Sequence, residues 1–324
     1  MNHKKIFDLV KNELKQVESE FARQRNSSVP TINEIGKYIQ EGGGKRIRPS
    51  LLLLCTKLCG EVSDSAIKLA AVVEFIHTAT LVHDDIIDGA RVRRGRSSVN
   101  HRWGNQITVL AGDWLYMQSF YVALQERNFK ILDILIDLTQ KMVEGELIQL
   151  SINGTSSVRE QDVIGIAERK TAYLFSGCAR IGGLLGQISD QQERALGEYG
   201  LSVGLAFQMT DDILDFSSSE GALGKPVGSD LKEGKITLPL VYLLQACTDE
   251  EARKIKTVLM KKEIHSFSQA EIFSMMKKYQ VLEKAKKCAE EFALRAQYAL
   301  NCFPSSPYRQ ALKEIPEMIL ARNQ

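Results

Sequence analysis

Six aspartates fall in two short runs. Residues 81–95 read LVHDDIIDGARVRRG, with Asp84, Asp85 and Asp88 among Leu, Val and Ile, and with Arg93 and Arg94 close behind. Residues 207–215 read FQMTDDILD and repeat the spacing as Asp211, Asp212 and Asp215. On a helix, positions four apart share a face, so Asp84 aligns with Asp88 and Asp211 with Asp215. Asp85 and Asp212 lie about 100° round the axis from their neighbours. Carboxylates brought near an apolar core need partners. An all-oxygen donor set suits magnesium or manganese, and magnesium takes few protein carboxylates, filling its shell with water and substrate phosphate. One DDxxD alone reads equally well as a solvated acidic face. Two copies, each near the end of an apolar helix and each followed by Gly and Lys/Arg, point instead to divalent ions gripping a diphosphate.

The basic residues fit the same chemistry. Residues 42–49 read GGGKRIRP: glycines let backbone approach a ligand, and Lys45, Arg46 and Arg48 supply charge. The spacing is not that of a P-loop. Arginine matches phosphate geometry bidentately and lysine acts as a point charge. Lys170 in ERKTAYLF, Lys225 in GALGKPVG and Lys235 in EGKITLP are further candidates. Each alone reads as a surface lysine; together they suit a site for two separate phosphate groups. His77 lies seven residues before Asp84, about two turns, on roughly the same face, and can donate to phosphate. His83 reads as structural. HExxH and GxSxG are absent, so the chemistry is electrostatic, with metals stabilising a leaving group. Cys55 and Cys59 read as core cysteines in a reducing compartment rather than a metal or redox pair.

The elements that carry these residues are helices. Apolar positions recur at three and four spacing over 5–24 and 31–41. Helices are expected over 49–59, 64–88, 105–126, 129–150, 160–185, 190–215, 236–247, 249–262, 268–278, 280–301 and 306–322. Strand alternation is nearly absent. The longest loop, 217–235, follows the second acidic run, and long loops in compact domains are often functional. No linker divides the chain, so 1–324 is expected as one all-α domain with several helices buried on more than one side. The 324 residues carry a formal charge of only +2, which excludes a general polyanion binder and leaves no expected nucleic-acid partner. No signal-peptide pattern and no apolar run of membrane-span length are read, so a cytoplasmic protein is expected.

These blocks resemble the trans-isoprenyl diphosphate synthases, the polyprenyl synthetase family, over about residues 35–300, and among them the long-chain types. GGGKRIRP is similar to the family's GGKxxRP block, HDDIIDGARVRRG to its first aspartate-rich motif, and FQMTDDILDF with GKPVGSDLKEGKITLP to its second motif and lysine loop. The resemblance implies a bundle of antiparallel helices around a deep central cavity and a magnesium-dependent head-to-tail condensation, with three ions per site. It assigns metal binding to Asp84, Asp88 and Asp211, and catalytic roles to these with Asp85, Asp212, Lys170 and Lys235. An allylic diphosphate, farnesyl or geranyl, would sit by Arg93, Lys170, Thr171, Gln208, Lys225 and Lys235. Isopentenyl diphosphate would bind Lys45, Arg48, His77 and Arg94. A homodimer is implied, with 105–126 near its interface, and peripheral membrane contact for product release.

Family members with short products floor the pocket with aromatics one turn before the first motif. Here Ala79 and Thr80 are small, and Ile76 lies one turn further down. Each turn rises ~5.4 Å, roughly one isoprene unit, so a product of about C30 to C50 is expected. Tyr116, Met117, Phe120 and Tyr121 are candidate floor residues on the opposing helix. The alternatives are a farnesyl or geranylgeranyl diphosphate synthase and the catalytic subunit of a heteromeric synthase. A class I cyclase, which does not need the GGGKRIRP block, and a non-catalytic partner subunit, whose acidic motifs are usually degraded, fit less well.

Overall fold

In the computed structural model, residues 3–153, 158–217, 228–261 and 266–323 are described. They form α1 (His3–Asp8), α2 (Lys11–Gln24), α3 (Pro30–Glu41), α4 (Ile47–Cys59), α5 (Asp64–Ile87), α6 (Val99–Trp103), α7 (Asn105–Gln125), α8 (Phe129–Ile152) and α9 (Glu160–Ala167). A π-helical turn, Glu168–Ala172, leads into α10 (Tyr173–Leu184). There follow α11 (Asp190–Ser217), α12 (Ser229–Lys232), α13 (Leu238–Ala246), α14 (Asp249–Lys261), α15 (Ser266–Lys278), α16 (Val281–Ala299) and α17 (Pro307–Leu320). Among the described residues, the strands are two two-residue pieces, β1 (Val92–Arg93) and β2 (Arg96–Ser97). The expected all-α class is the observed one.

Two compact units make up the chain. The first comprises Met1–Thr139, Leu174–Gly200 and Ala299–Glu314. Its centre is α5, packed by α2, α4 and α7. Ser63 caps its start, accepting from the Ala66 N–H at 3.4 Å, and Gly89 (φ +62°) turns the chain away at its end. Leu69, Val72, Val73, Phe75 and Ile76 are fully buried, as are Leu51 to Leu54 of α4. Phe75 stacks on Phe21 of α2 with centroids 4.1 Å apart. By length and composition α5 is long and apolar enough to cross a membrane, but 72% of its apolar window is buried, as in a core helix.

The second unit comprises Gln140–Tyr173, Leu201–Tyr298 and Ile315–Gln324. Its core joins Leu205, Met209 and Ile213 of α11 to Leu240 and Leu243 of α13, Met276 of α15 and Phe292 of α16. α16 buries one apolar stripe, Val281, Ala285, Ala289, Phe292, Ala293 and Ala296, whereas α13 buries Leu238 to Leu243 consecutively and is enclosed all round; this burial stabilises both beyond their local propensity.

Candidate active site

In the first unit, one stripe of α5 keeps partial exposure: His77, Thr80, Leu81, Asp84 and Asp88. Asp84 and Asp88 stand a turn apart on it, an all-oxygen pair of the kind that suits a hard cation. Asp85 points elsewhere. It is buried and paired with Arg93 Nε at 2.6 Å. Among the described residues no three His, Cys, Asp or Glu groups gather into a protein-only cage. The pair therefore fits an ion that takes the rest of its shell from water and phosphate.

Behind the acids lies a cation cluster. Arg48 Nη1 is 3.2 Å from His77 Nε2, and its guanidinium covers the Phe175 ring at 4.8 Å. Burial pushes the His77 pKa well below the ordinary histidine range, and Arg48, Arg94, Arg93 and Arg46 push it the same way. His77 is therefore neutral at neutral pH, its Nε2 accepting from Arg48 within fixed positive charge. Burial lowers the Arg94 pKa as well; Glu74 opposes this, and Arg46 and Arg93 add to it. Arg94 occupies a hairpin turn with φ +52°, followed by Gly95 at +74°, the two positive angles of a type I′ turn. Its Nη1 donates to the Gly43 carbonyl, so the arginine turn rests on the glycine run.

The hairpin is locked by Tyr38, whose ring is covered by Arg96 at 4.1 Å and by Arg102 at 4.7 Å. Tyr38 Oη donates to the Ser97 carbonyl at 2.8 Å. A cleft opens between these residues and α5, lined by Arg46, Glu74, Asp85, Arg93 and Arg94 above Phe21 and Val82. Lys45 is exposed at the start of α4.

In the second unit, α11 presents Asp211, Asp212 and Asp215. Arg322 Nη1 lies 3.1 Å from Asp211, with its guanidinium 5.1 Å over the Phe207 ring. Asp212 is buried, which pushes its pKa well above the usual carboxylate range; Asp230, Asp211 and Asp215 add to this, and Gln208 pulls back. Asp215 ties down the far end of the loop: Ser229 N–H at 3.2 Å, Ser229 Oγ at 2.9 Å and Asp230 N–H at 3.1 Å all donate to it. Thr171 Oγ1 donates to Gln208 Oε1 at 2.7 Å, and Gln208 Nε2 to Asp212 Oδ1 at 2.8 Å, which fixes the amide orientation.

Lys170 and Thr171 sit in the π-helical turn, a distortion frequent at functional sites. Lys170 Nζ donates to Gln149 Oε1 at 3.1 Å and pairs with Glu146. Gly145 permits this approach: a Cβ there would lie 2.8 Å from both Arg169 Cβ and the Lys170 nitrogen. Lys235 pairs with Glu233 at 2.5 Å. Lys225 lies outside the described residues.

Of the chain-length positions, Ile76 and Ala79 have no accessible surface, and Thr80 lies on the open stripe one turn before Asp84. Ala79 is one turn before His83, whose ring stands over Gly112 of α7, where a Cβ would be 2.2 Å from Nε2. Ala79 thus faces the α5–α7 seam. His83 Nε2 meets the Val109 carbonyl at 3.1 Å, the structural role expected of it. Tyr116 is tilted against His83, with ring centroids 5.8 Å apart. Met117 and Tyr121 project outward, 63% and 58% exposed, and are not inward-facing floor residues within the chain.

Comparison with known proteins decides the family. The polyprenyl synthetase family model matches residues 29–277. The chain belongs to the polyprenyl synthetase family. It is 35% identical over 323 residues to octaprenyl diphosphate synthase of Escherichia coli (strain K12), spanning 100% of both chains. A decaprenyl diphosphate synthase structure from Rhodobacter capsulatus superposes with a TM-score of 0.95 at 32% identity, covering 99% of each chain. A polyprenyl synthase from Caulobacter crescentus CB15, complexed with calcium and isoprenyl diphosphate, gives 0.95 at 31% identity, over 99% of this chain and 98% of that one. This polyprenyl synthetase is a trans-prenyltransferase of isoprenoid biosynthesis.

Several residues at the site carried little signal in the sequence. Gln149, Glu146 and Tyr38 had none. Glu74 had one: a lone carboxylate in the middle of an apolar helix needs a buried partner.

Proposed function

We propose that the chain, acting as one functional domain, condenses isopentenyl diphosphate head-to-tail onto an allylic diphosphate, farnesyl or geranyl. The product is a long all-trans polyprenyl diphosphate of about C30 to C50, at roughly one isoprene unit per helical turn. The observation that carries this reading is geometric: His77, 3.2 Å from Arg48 Nη1, lies on the helix that carries Asp84 and ends at Asp88. One helix thus serves a metal-held diphosphate and a second diphosphate held by cations alone.

The family is metal-dependent. Asp84, Asp88 and Asp211 would hold magnesium, three ions in our reading, which when bound offsets the charge of the leaving diphosphate. Lys170, Lys235 and Arg93 would stabilise that charge as the allylic C–O bond breaks. Thr171 and Gln208 orient the same end. Lys45, Arg48, His77 and Arg94 fix isopentenyl diphosphate so that its double bond reaches the allylic carbon. The new C–C bond forms as one proton is lost to the departing diphosphate.

A homodimer is supported by α7, where Ile107, Leu110, Met117, Tyr121 and Leu124 are exposed along one helical stripe. The test is direct: purified protein, farnesyl diphosphate, labelled isopentenyl diphosphate and magnesium, with dephosphorylated products sized by chromatography. A dominant product between C30 and C50 is expected. A product stopping at C20 refutes the long-chain reading, and no product from folded protein refutes a self-sufficient synthase.

A further inference from the structure

Arg46 is set apart from the other cations of its run. Lys45 is exposed and Arg48 reaches His77. The Arg46 side chain instead runs between two carboxylates: Nη1 meets Glu74 Oε1 of α5 at 2.5 Å, and Nε donates to Glu18 Oε1 of α2. Glu74 is 7% exposed at its side chain and Glu18 39%. Gln40 Nε2 steadies Glu18 from both ends, at 3.0 Å from its carbonyl and 3.1 Å from Oε2.

The backbone of Arg46 is left-handed, φ +48° and ψ +37°, a region that L residues other than Gly, Asn and Asp rarely occupy. That turn starts α4, because the Arg46 carbonyl accepts Ser50 N at 3.0 Å and Ser50 Oγ at 2.7 Å. It also shapes the glycine run: a Cβ on Gly44 would be 2.9 Å from Arg94 Nη1 and 3.2 Å from Arg46 Nη1. One local conformation therefore sets Lys45, Arg48 and the seat of Arg94 together.

We propose that Glu74, supported by Glu18, is a positioning residue for the isopentenyl diphosphate subsite, acting through Arg46. The two carboxylates hold the guanidinium, the guanidinium holds the left-handed turn, and the turn places three phosphate-binding cations. The acids also keep Arg46 itself away from the ligand. This inference rests on the subsite assignment made above.

Steady-state kinetics on the full chain, varying each substrate separately, test it. Glu74→Gln keeps shape and an acceptor but removes the charge. It should raise KM for isopentenyl diphosphate about tenfold, leaving KM for the allylic substrate and kcat within about twofold. Glu18→Gln, at a more exposed position, should raise the same KM about threefold. Arg46→Lys should not rescue, because one ammonium does not bridge two carboxylates as a planar fork does. The double variant Arg46→Gln/Glu74→Gln should be no worse than Arg46→Gln, since both cut one link.

A merely structural role would lower the melting temperature and leave the isopentenyl KM flat, or raise both KM values alike; either result overturns the proposal. If Glu74→Gln does not fold, Glu18→Gln decides alone, and a flat isopentenyl KM there overturns it. Lys45→Gln and Arg48→Gln separate the two layers. If they leave the isopentenyl KM unchanged, the subsite assignment falls; if they raise it while the glutamate variants do not, only the positioning role falls.

Discussion

Gly145 offers a sharp test of the π-helical turn. In Gly145→Ala the new methyl group would lie 2.8 Å from Arg169 Cβ and from the Lys170 backbone nitrogen, where ordinary contact begins near 3.4 Å. The shortfall is about 0.6 Å, and it is met by backbone rather than by the tip of a flexible side chain. Either α8 retreats or the turn moves and takes Lys170 from Gln149 and Glu146. Overpacking of this kind costs about 1–3 kcal/mol. At roughly 2–4 °C per kcal/mol for a large domain, melting should drop by about 2–12 °C. A misplacement near 1 Å costs on the order of a hundredfold in rate, so about 0.6 Å should lower kcat roughly tenfold. The assay is turnover of labelled isopentenyl diphosphate at saturation in both substrates, beside a thermal melt. Gly186→Ala is the control: its Cβ would meet the Cys59 carbonyl at 2.5 Å, so it should cost stability while sparing kcat. If Gly145→Ala melts early but keeps kcat within twofold, the turn does not position Lys170 for the reaction.

Other outcomes follow from the same geometry. Asp84→Ala should lower kcat by about a hundredfold or more with little change in melting, since the side chain is only half-buried; near-normal turnover would refute its metal role. Arg94→Ala should raise KM for isopentenyl diphosphate, and an effect confined to the allylic substrate would reverse its assignment. Thr80→Tyr, on the open stripe one turn before Asp84, should shorten the product, and an unchanged length would place the hydrocarbon path elsewhere. For His77 the folded pKa is depressed, so below the unfolded value near 6.5 the unfolded chain takes up a proton that the folded chain refuses. That contribution to stability is complete above this pH and is lost as pH falls through it. Melting curves between pH 7.5 and 5 should show a shallower acid loss in His77→Asn, and equal slopes would mean that the His77 pKa is not depressed by its burial among the arginines.

Spacing made part of this site legible. Asp84 and Asp88 share a face because four residues nearly close a turn, and His77 shares it because seven nearly close two. Spacing could not say which acid of a run is paired within the chain. Asp85 pairs with Arg93, and Asp215 accepts from Ser229 and Asp230, through tertiary contacts with no local signature. Arg46 looks like Lys45 and Arg48 in sequence, and only the positions of Glu18 and Glu74 turn it away. The helix expected over 160–185 contains the π-helical turn, which its apolar period does not betray. The expected loop at 217–235 hides α12, too short to show a period, and β1–β2 is missed for the same reason. Helix ends otherwise moved by a residue or two, except at the N-terminus, where 5–24 is two helices, His3–Asp8 and Lys11–Gln24.

The placement of Glu74, His77, Thr80, Asp84 and Asp88 along α5 also constrains how this protein can change. Within a single uninterrupted helix, inserting or deleting one residue rotates everything beyond it by about 100° and shifts it by about 1.5 Å. A one-residue indel between Thr80 and Asp84 would turn the acids off the stripe that Thr80 occupies, and one between Glu74 and His77 would swing the Arg46 anchor round the axis from the cation cluster. Product length and metal binding can therefore diverge among descendants by substitution at existing positions, while gaps within 74–84 should be purged. The helix behaves as a fixed reading frame for the site, open to spelling changes and closed to frameshifts.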